Sequence, residues 1–229
     1  MELSTKSGMG AKATDQQRGR SPILYINHGR YVLNEAINLG WKIGARYTNL
    51  RDTRHFGGPD FLDIDWKNYS FERHLEAAKI TQPKLTIARD WTNDSDLTRI
   101  LDEASRLSAY ARTVAIVPKD PLSAESMERR VPNEFIFGYS VPTGYGETSI
   151  PTVAFKRPVH LLGGRPCAQL RLRNALDVIS LDQNSFTIDA RFGKHYQYFG
   201  YKRSDIGYAE TLRLSLLNIR AAWGHPSPT

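Results

Sequence analysis

Ionisable side chains recur at the ends of apolar runs in this sequence. Asp63 and Asp65 interrupt FLDIDW, Asp90 closes KLTIARD, Lys119 and Asp120 follow TVAIVP, His160 sits inside PVHLLGG, and Asp182 closes VISLD. Strands buried on both faces of a parallel sheet read as near-continuous apolar runs, so charged groups at their carboxyl ends call for an explanation. In a (β/α) barrel those ends meet at one rim, where active sites form. Carboxylates gathered there in a partly dry pocket suit glycosidic chemistry, in which one acts on the anomeric carbon and another moves a proton. The plain alternative for any single Asp is a cap on the next helix or turn. Asp90, before Trp91-Thr92-Asn93, and Asp120, before Pro121, fit that use well. Which of Asp63 and Asp65 faces a site stays open, and His160, with no partner that the sequence identifies, reads as a structural histidine.

The elements that must position these groups recur as short β-branched or aromatic runs, most followed by a polar turn and an amphipathic stretch. Eight candidate strands are ILYIN (23–27), WKIGARYT (41–48), FLDIDW (61–66), KLTIARD (84–90), TVAIVPK (113–119), FIFGYSV (135–141), RPVHLLGG (157–164) and VISLDQN (178–184). Apolar residues at three- and four-residue spacing predict helices over 70–80, 94–110 and 166–176, the second with Asp94 or Ser95 as its cap. A strongly amphipathic helix is expected over 208–223, packed back on the body, and the closing GHPSPT (224–229) is expected to fray. Eight strands so spaced predict an α/β fold, a (β/α)8 TIM-like barrel over 22–223, trimmed or distorted because several connections are too short for full helices. A doubly wound sheet is the runner-up.

Composition narrows the class. A chain of 229 residues suits one domain, and 40% hydrophobic with 24% charged residues is ordinary for a soluble globular protein. No apolar run approaches the roughly 18 residues that span a bilayer. The first 21 residues are basic without an apolar core and read as a disordered leader, so an intracellular location is expected. Cys167, the one cysteine, excludes an internal disulfide and a zinc site built on several thiolates. The formal charge of +7 is uneven: residues 150–229 hold eleven Lys and Arg against five Asp and Glu, which leaves +1 for 1–149. Either the C-terminal part binds a polyanion or the excess serves solubility.

Three further segments bear on binding. LLGGRP (161–166) joins a strand to a helix, so its backbone N–H groups are placed for an anion or a base edge, although a plain tight turn explains it too. GYSVPTGYGET (138–148) combines glycines with Tyr139 and Tyr145 and reads as a rim loop that stacks on a base, or as core packing. FTIDARFGKHYQYFGYKR (186–203) interleaves Arg191, Lys194, His195, Lys202 and Arg203 with tyrosines, as nucleic-acid surfaces do. Its plain alternative is a cover over the barrel base.

Taken together and in order, FLDIDW, KLTIARDW, FIFGYSVPT, PVHLLGGRP and VISLDQNSF resemble the "deoxypurine in DNA" (DpdA) group of viral and bacterial proteins, paralogues of the tRNA-guanine transglycosylases. The resemblance spans about residues 22–223. It implies that Asp182 is the nucleophile that attacks the sugar, that Asp63 or Asp65 is the general acid/base, and that Asp90 reads the guanine edge. It further implies that Gly138, Tyr139, Gly163 and Gly164 line the base pocket. The partners implied are DNA and a 7-deazaguanine base such as the 7-cyano derivative, with no cofactor. The tRNA enzymes carry a cysteine-rich zinc module that this chain, with Cys167 alone, cannot build, which favours the DNA-acting branch. Two other functions compete: a nucleosidase or glycoside hydrolase using the same carboxylates with water, and a non-catalytic DNA-binding barrel.

Overall fold

A computed structural model describes residues 21–143, 148–198 and 200–227. The leader, apart from Ser21, and Tyr145 in the expected rim loop lie outside the described residues. Eight parallel strands close into a barrel in sequential order. They are β1 (Ile23–Ile26), β2 (Lys42–Arg46), β3 (Phe61–Asp63), β4 (Leu85–Trp91), β5 (Val114–Pro118), β6 (Ile136–Ser140), β7 (Val159–Leu162) and β8 (Val178–Asp182). β8 pairs with β1 through Ile23–Ser180, Leu24–Leu181 and Tyr25–Asp182, which shuts the sheet and excludes the doubly wound alternative. The strands form where the sequence offers uninterrupted apolar runs; all five residues of β5 are buried.

Helices cover the barrel unevenly, as expected of a trimmed one. The helices are α1 (Arg30–Asn38), α2 (Phe71–Thr81), α3 (Leu97–Ser108), α4 (Met127–Arg130), α5 (Pro166–Leu172), α6 (Ser185–Arg191) and α7 (Gly207–Ala222). In α3 the buried Leu97, Ile100, Ala104 and Leu107 keep the three- and four-residue spacing that aims one face at the sheet. The cap expected from Asp94 or Ser95 does not form: the helix starts after a 3-10 turn, and the Asp94 carboxylate pairs with Arg130 instead. Among the described residues between β6 and β7 the helical structure is a single 3-10 turn at Thr152–Ala154. Arg157 compensates there: its guanidinium donates to the carbonyls of Glu128, Val131, Pro132 and Phe135, pairs with Glu128 and lies 4.8 Å over Phe137.

The 186–203 segment divides into α6 and an antiparallel hairpin of β9 (Lys194–Gln197) and β10 (Gly200–Arg203), inserted before the last helix. The predicted C-terminal helix is α7, and it buries Leu212, Leu216 and Ile219 on its side facing β9, α6 and α1, roughly 2 kcal/mol for each such side chain. Past α7 the chain does not fray at once: Ser21 Oγ donates to the Gly224 carbonyl, and His225 Nε2 lies 2.8 Å from the Pro22 carbonyl. Among the described residues no helix is long and apolar enough to cross a membrane.

One buried histidine sits outside the barrel, between α2 and β4. His74 Nε2 lies 2.8 Å from Thr86 Oγ1, Nδ1 lies 3.2 Å from the Tyr69 hydroxyl, and the ring stacks on Tyr47. Burial pushes its pKa down to about 4, whereas an unfolded histidine titrates near 6.5. Between those values the unfolded chain binds the extra proton, so the contribution is whole above pH 6.5 and is lost as pH falls towards 4. About 3 kcal/mol of stability is expected to go by pH 4. Urea melts at pH 7.5 and 4.5, beside His74→Asn, check this; an equal acid loss in the variant would place the effect elsewhere.

Candidate active site

The inward side chains at the carboxyl ends of the strands come from widely separated parts of the sequence. Inside the barrel Tyr25, Phe61 and His160 form a ring cluster, with Phe61 and His160 4.7 Å apart and Tyr25 and Phe61 5.3 Å apart. Above it stand Asp63, one alternation after Phe61 on β3, and Asp182, which closes β8.

Asp182 is held from two sides. Gly163 N–H donates to its Oδ1 at 3.0 Å, and His160 Nε2 lies 3.5 Å from the same oxygen. The His160 ring is fixed by Ser180 Oγ, 2.8 Å from Nδ1. Gln169 Nε2 donates to the carbonyls of both Gly163 and Asp182, at 2.6 and 2.8 Å, and ties the β7 loop to the end of β8. The glycines of LLGG make this possible, because Gly163 and Gly164 have φ of +60° and +89°, where a side chain strains the backbone. The anion that the 161–166 turn meets is therefore the chain's own carboxylate, and the Gly163 amide is already in use. A Cβ on Gly164 would also stand 2.5 Å from Val141 Cγ1. Gly164→Ala is expected to destabilise the fold by about 3 kcal/mol, read as a lower urea midpoint; an unchanged midpoint would show that the turn has another conformation open to it.

Asp63 is the member of the 63/65 pair that meets Asp182. Its carboxyl, half-buried and surrounded by protein at the barrel mouth, has its pKa pushed up to about 7 by desolvation first, then by the negative charge of Asp182. The Ile64 N–H, donating to Oδ1 at 2.8 Å, and the Arg46 guanidinium at the end of β2 oppose this rise, and Asp90 adds to it. The strand stops at Asp63, so Asp65 lies beyond it in a turn closed by Asn68 N–H donating to the Asp65 carbonyl.

Asp90 reaches the same rim through an irregularity. Ile87 pairs with Ala115 and Asp90 with Val117, so three steps on β4 match two on β5. Thr86, below this bulge, meets His74 on α2 outside the barrel, and Arg89, within it, pairs outward with Glu103 on α3. The extra residue reverses the alternation and aims Asp90 inward. Asp90 therefore caps no helix: its Oδ2 lies 3.7 Å from Lys119 Nζ, which donates to Ser140 Oγ at 2.8 Å. Burial raises the Asp90 pKa and Lys119 opposes it. Asp120 does form the turn cap that the sequence suggests, accepting from Leu122 N–H.

The other expected site residues divide. Gly138 lies on the inward side of β6, where a Cβ would stand 2.7 Å from Val117 Cγ2 and 3.1 Å from Leu162 Cδ1, so it keeps the wall of the barrel free of a side chain. Tyr139, its neighbour, is on the other face of the strand, packed at 5.2 Å on Phe155, and does not line the mouth. Arg191, Lys194, Lys202 and Arg203 are exposed on α6 and the hairpin. His195 is not: it is buried, with Nδ1 3.1 Å from Ser204 Oγ. Arg46, Lys119 and His160 belong to the site but were not singled out for it; their only signal in the sequence was a polar residue in or beside an apolar run. Among the described residues no group of three or more His, Cys, Asp or Glu is arranged to hold a metal ion.

The mouth therefore joins two unlike carboxyls, Asp63 and Asp182, to a cation and acceptor pair, Lys119 and Asp90. A search of curated proteins finds no match. A family model described as "Family of unknown function (DUF6610)" matches residues 36–224, and the chain belongs to that family.

Proposed function

We propose that this protein exchanges guanine in DNA for a 7-deazaguanine base, through a covalent bond between Asp182 and the sugar. The observation that carries the reading is the unlike carboxyl pair. Asp182 is held in place by the Gly163 amide, and the neighbouring Asp63 keeps a proton up to about pH 7. Groups whose surroundings drive their proton affinities apart are what an acid/base partner and a nucleophile require.

The target nucleotide leaves the base stack, since C1′ is out of reach within a duplex. A carboxylate oxygen of Asp182 attacks C1′ as the C1′–N9 bond breaks, and guanine N9 takes the proton of Asp63. The incoming base then gives its N9 proton to the Asp63 carboxylate, N9 attacks C1′, and the bond to Asp182 breaks. Both carboxyls return to their starting states, and no water is consumed. Lys119 and Asp90 suit the guanine edge: an ammonium donor for the O6 carbonyl beside an acceptor for the N1 and N2 hydrogens.

The test is mass spectrometry of nucleosides from DNA incubated with the protein and 7-cyano-7-deazaguanine. A deazapurine nucleoside with matching free guanine is the expected result. Abasic sites in its place would make the protein a hydrolase, and DNA binding with no base turnover would make it a non-catalytic barrel.

A further inference from the structure

The end of α6, the helix that follows β8, is flanked by two hollows that the exchange chemistry does not use. α6 starts at the mouth, where Ser185 Oγ donates to the Gly164 carbonyl and Asn184 Nδ2 donates to the Asn27 carbonyl. Its last residue, Arg191, reaches the first turn of α1. On one side of Arg191 is a hollow of about 460 Å³, walled by His28, Arg30, Tyr31 and Tyr208. On the other is one of about 890 Å³, walled by Phe192, Lys194, Arg203 and Asp205. Arg191 lines both, so the two hollows adjoin at its side chain.

Cations and rings alternate along them. The Tyr31 and Tyr208 rings lie 6.2 Å apart and are tilted by 33°, and Tyr31 is 53% and Phe192 66% exposed. Large apolar rings left open beside arginines form a surface for stacking and ion pairing, not for folding. Four cations, Arg30, Arg191, Lys194 and Arg203, line the two hollows against one carboxylate, Asp205. His28 adds a neutral donor: its Nδ1 accepts from Gly29 N–H at 2.8 Å, which leaves the ring proton on Nε2, while burial and the Arg191 charge lower its pKa. The Asp52 carboxylate acts against that shift.

We propose that the adjoining hollows are the path of a single strand of nucleic acid, with phosphates on the cations and bases against Tyr31, Tyr208 and Phe192. It rests on the exchange reading and names the form of DNA that the site takes. A duplex offers its phosphates but hides the faces of its bases, so the rings would gain nothing from it. A single strand satisfies both kinds of group and delivers an already unpaired base to Asp182, which removes the cost of extrusion.

The test is fluorescence anisotropy of a labelled twenty-nucleotide thymidine strand and of a twenty-base-pair duplex, with the full chain. The single strand is expected to bind about tenfold or more tightly than the duplex. Phe192→Ala and Tyr31→Ala, both at exposed positions, should each weaken single-strand binding about fivefold and leave duplex binding unchanged. Arg203→Ala should make the slope of log K against log salt shallower by about 0.7. Equal affinity for the duplex, or ring variants that bind normally while still melting like the parent, would overturn the path. No step here needs a base to be released. A failed exchange assay with single-strand binding intact thus counts against the mouth alone, and exchange on a duplex with no strand preference counts against the path alone.

Discussion

Asp182→Asn is expected to reduce guanine release from DNA by about 10³-fold or more, and to abolish any covalent protein–DNA adduct on a denaturing gel. The amide keeps an oxygen for the Gly163 N–H, so the β7 loop and the end of β8 should stay tied and the melting profile close to that of the parent. What is lost is the anionic oxygen that forms the bond to C1′. The variant also removes the negative charge that helps hold the Asp63 proton, so the pH at which Asp63 ionises should fall. An active Asp182→Asn enzyme, or an adduct that persists in it, would show that the sugar is attacked by some other group.

The second large effect is a gain in stability bought with activity. In the unfolded chain Asp63 ionises near its ordinary value of 3.8, whereas in the folded chain it keeps its proton to about 7. The folded state thus binds more protons between those values, and stability declines as pH rises from about 4 to about 7, where the whole penalty is in force. Asp63→Asn removes that titration and retains an oxygen for the Ile64 N–H. The variant is expected to be more stable than the parent by roughly 4 kcal/mol at pH 8 and nearly equal to it at pH 4. Exchange should fall by about 10² to 10⁴, the usual worth of a placed proton donor. In the parent, guanine release in a single turnover should decline as pH passes upward through about 7. Urea melts at the two pH values give the first result and rapid-quench kinetics the second. A variant no more stable than the parent at pH 8 would mean that Asp63 is ionised in the native protein at no extra cost.

The barrel was legible because parallel strands buried on both faces leave apolar runs that need no periodicity to be recognised; all eight appear where the runs are, within a few residues. Asp182 was legible for the same reason, as a charge closing VISLD. The choice between Asp63 and Asp65 was not, since residues two apart share a face only while the strand lasts, and nothing in FLDIDW marks its end at Asp63. Arg46, Lys119 and His160 join the site through strand neighbours that no local pattern reveals: His160 is beside Asp182 because β7 lies against β8. His195 misled in the opposite way. The residues around it match an exposed basic stretch, but α7 runs along β9, bonding the Tyr196 backbone through Ser215 and Asn218, and both His195 and Tyr196 are buried.

The bulge in β4 makes the acidic wall tolerant of a change in chain length. Loss of one codon between Ile87 and Asp90 would leave two steps against two, so Asp90 would stay opposite Val117 and keep facing the rim. The residue given up would be Ala88 or Arg89, and only the second has an ion pair to lose, with Glu103 on α3. A one-residue deletion at this spot among family members is therefore expected to leave the preferred cargo unchanged.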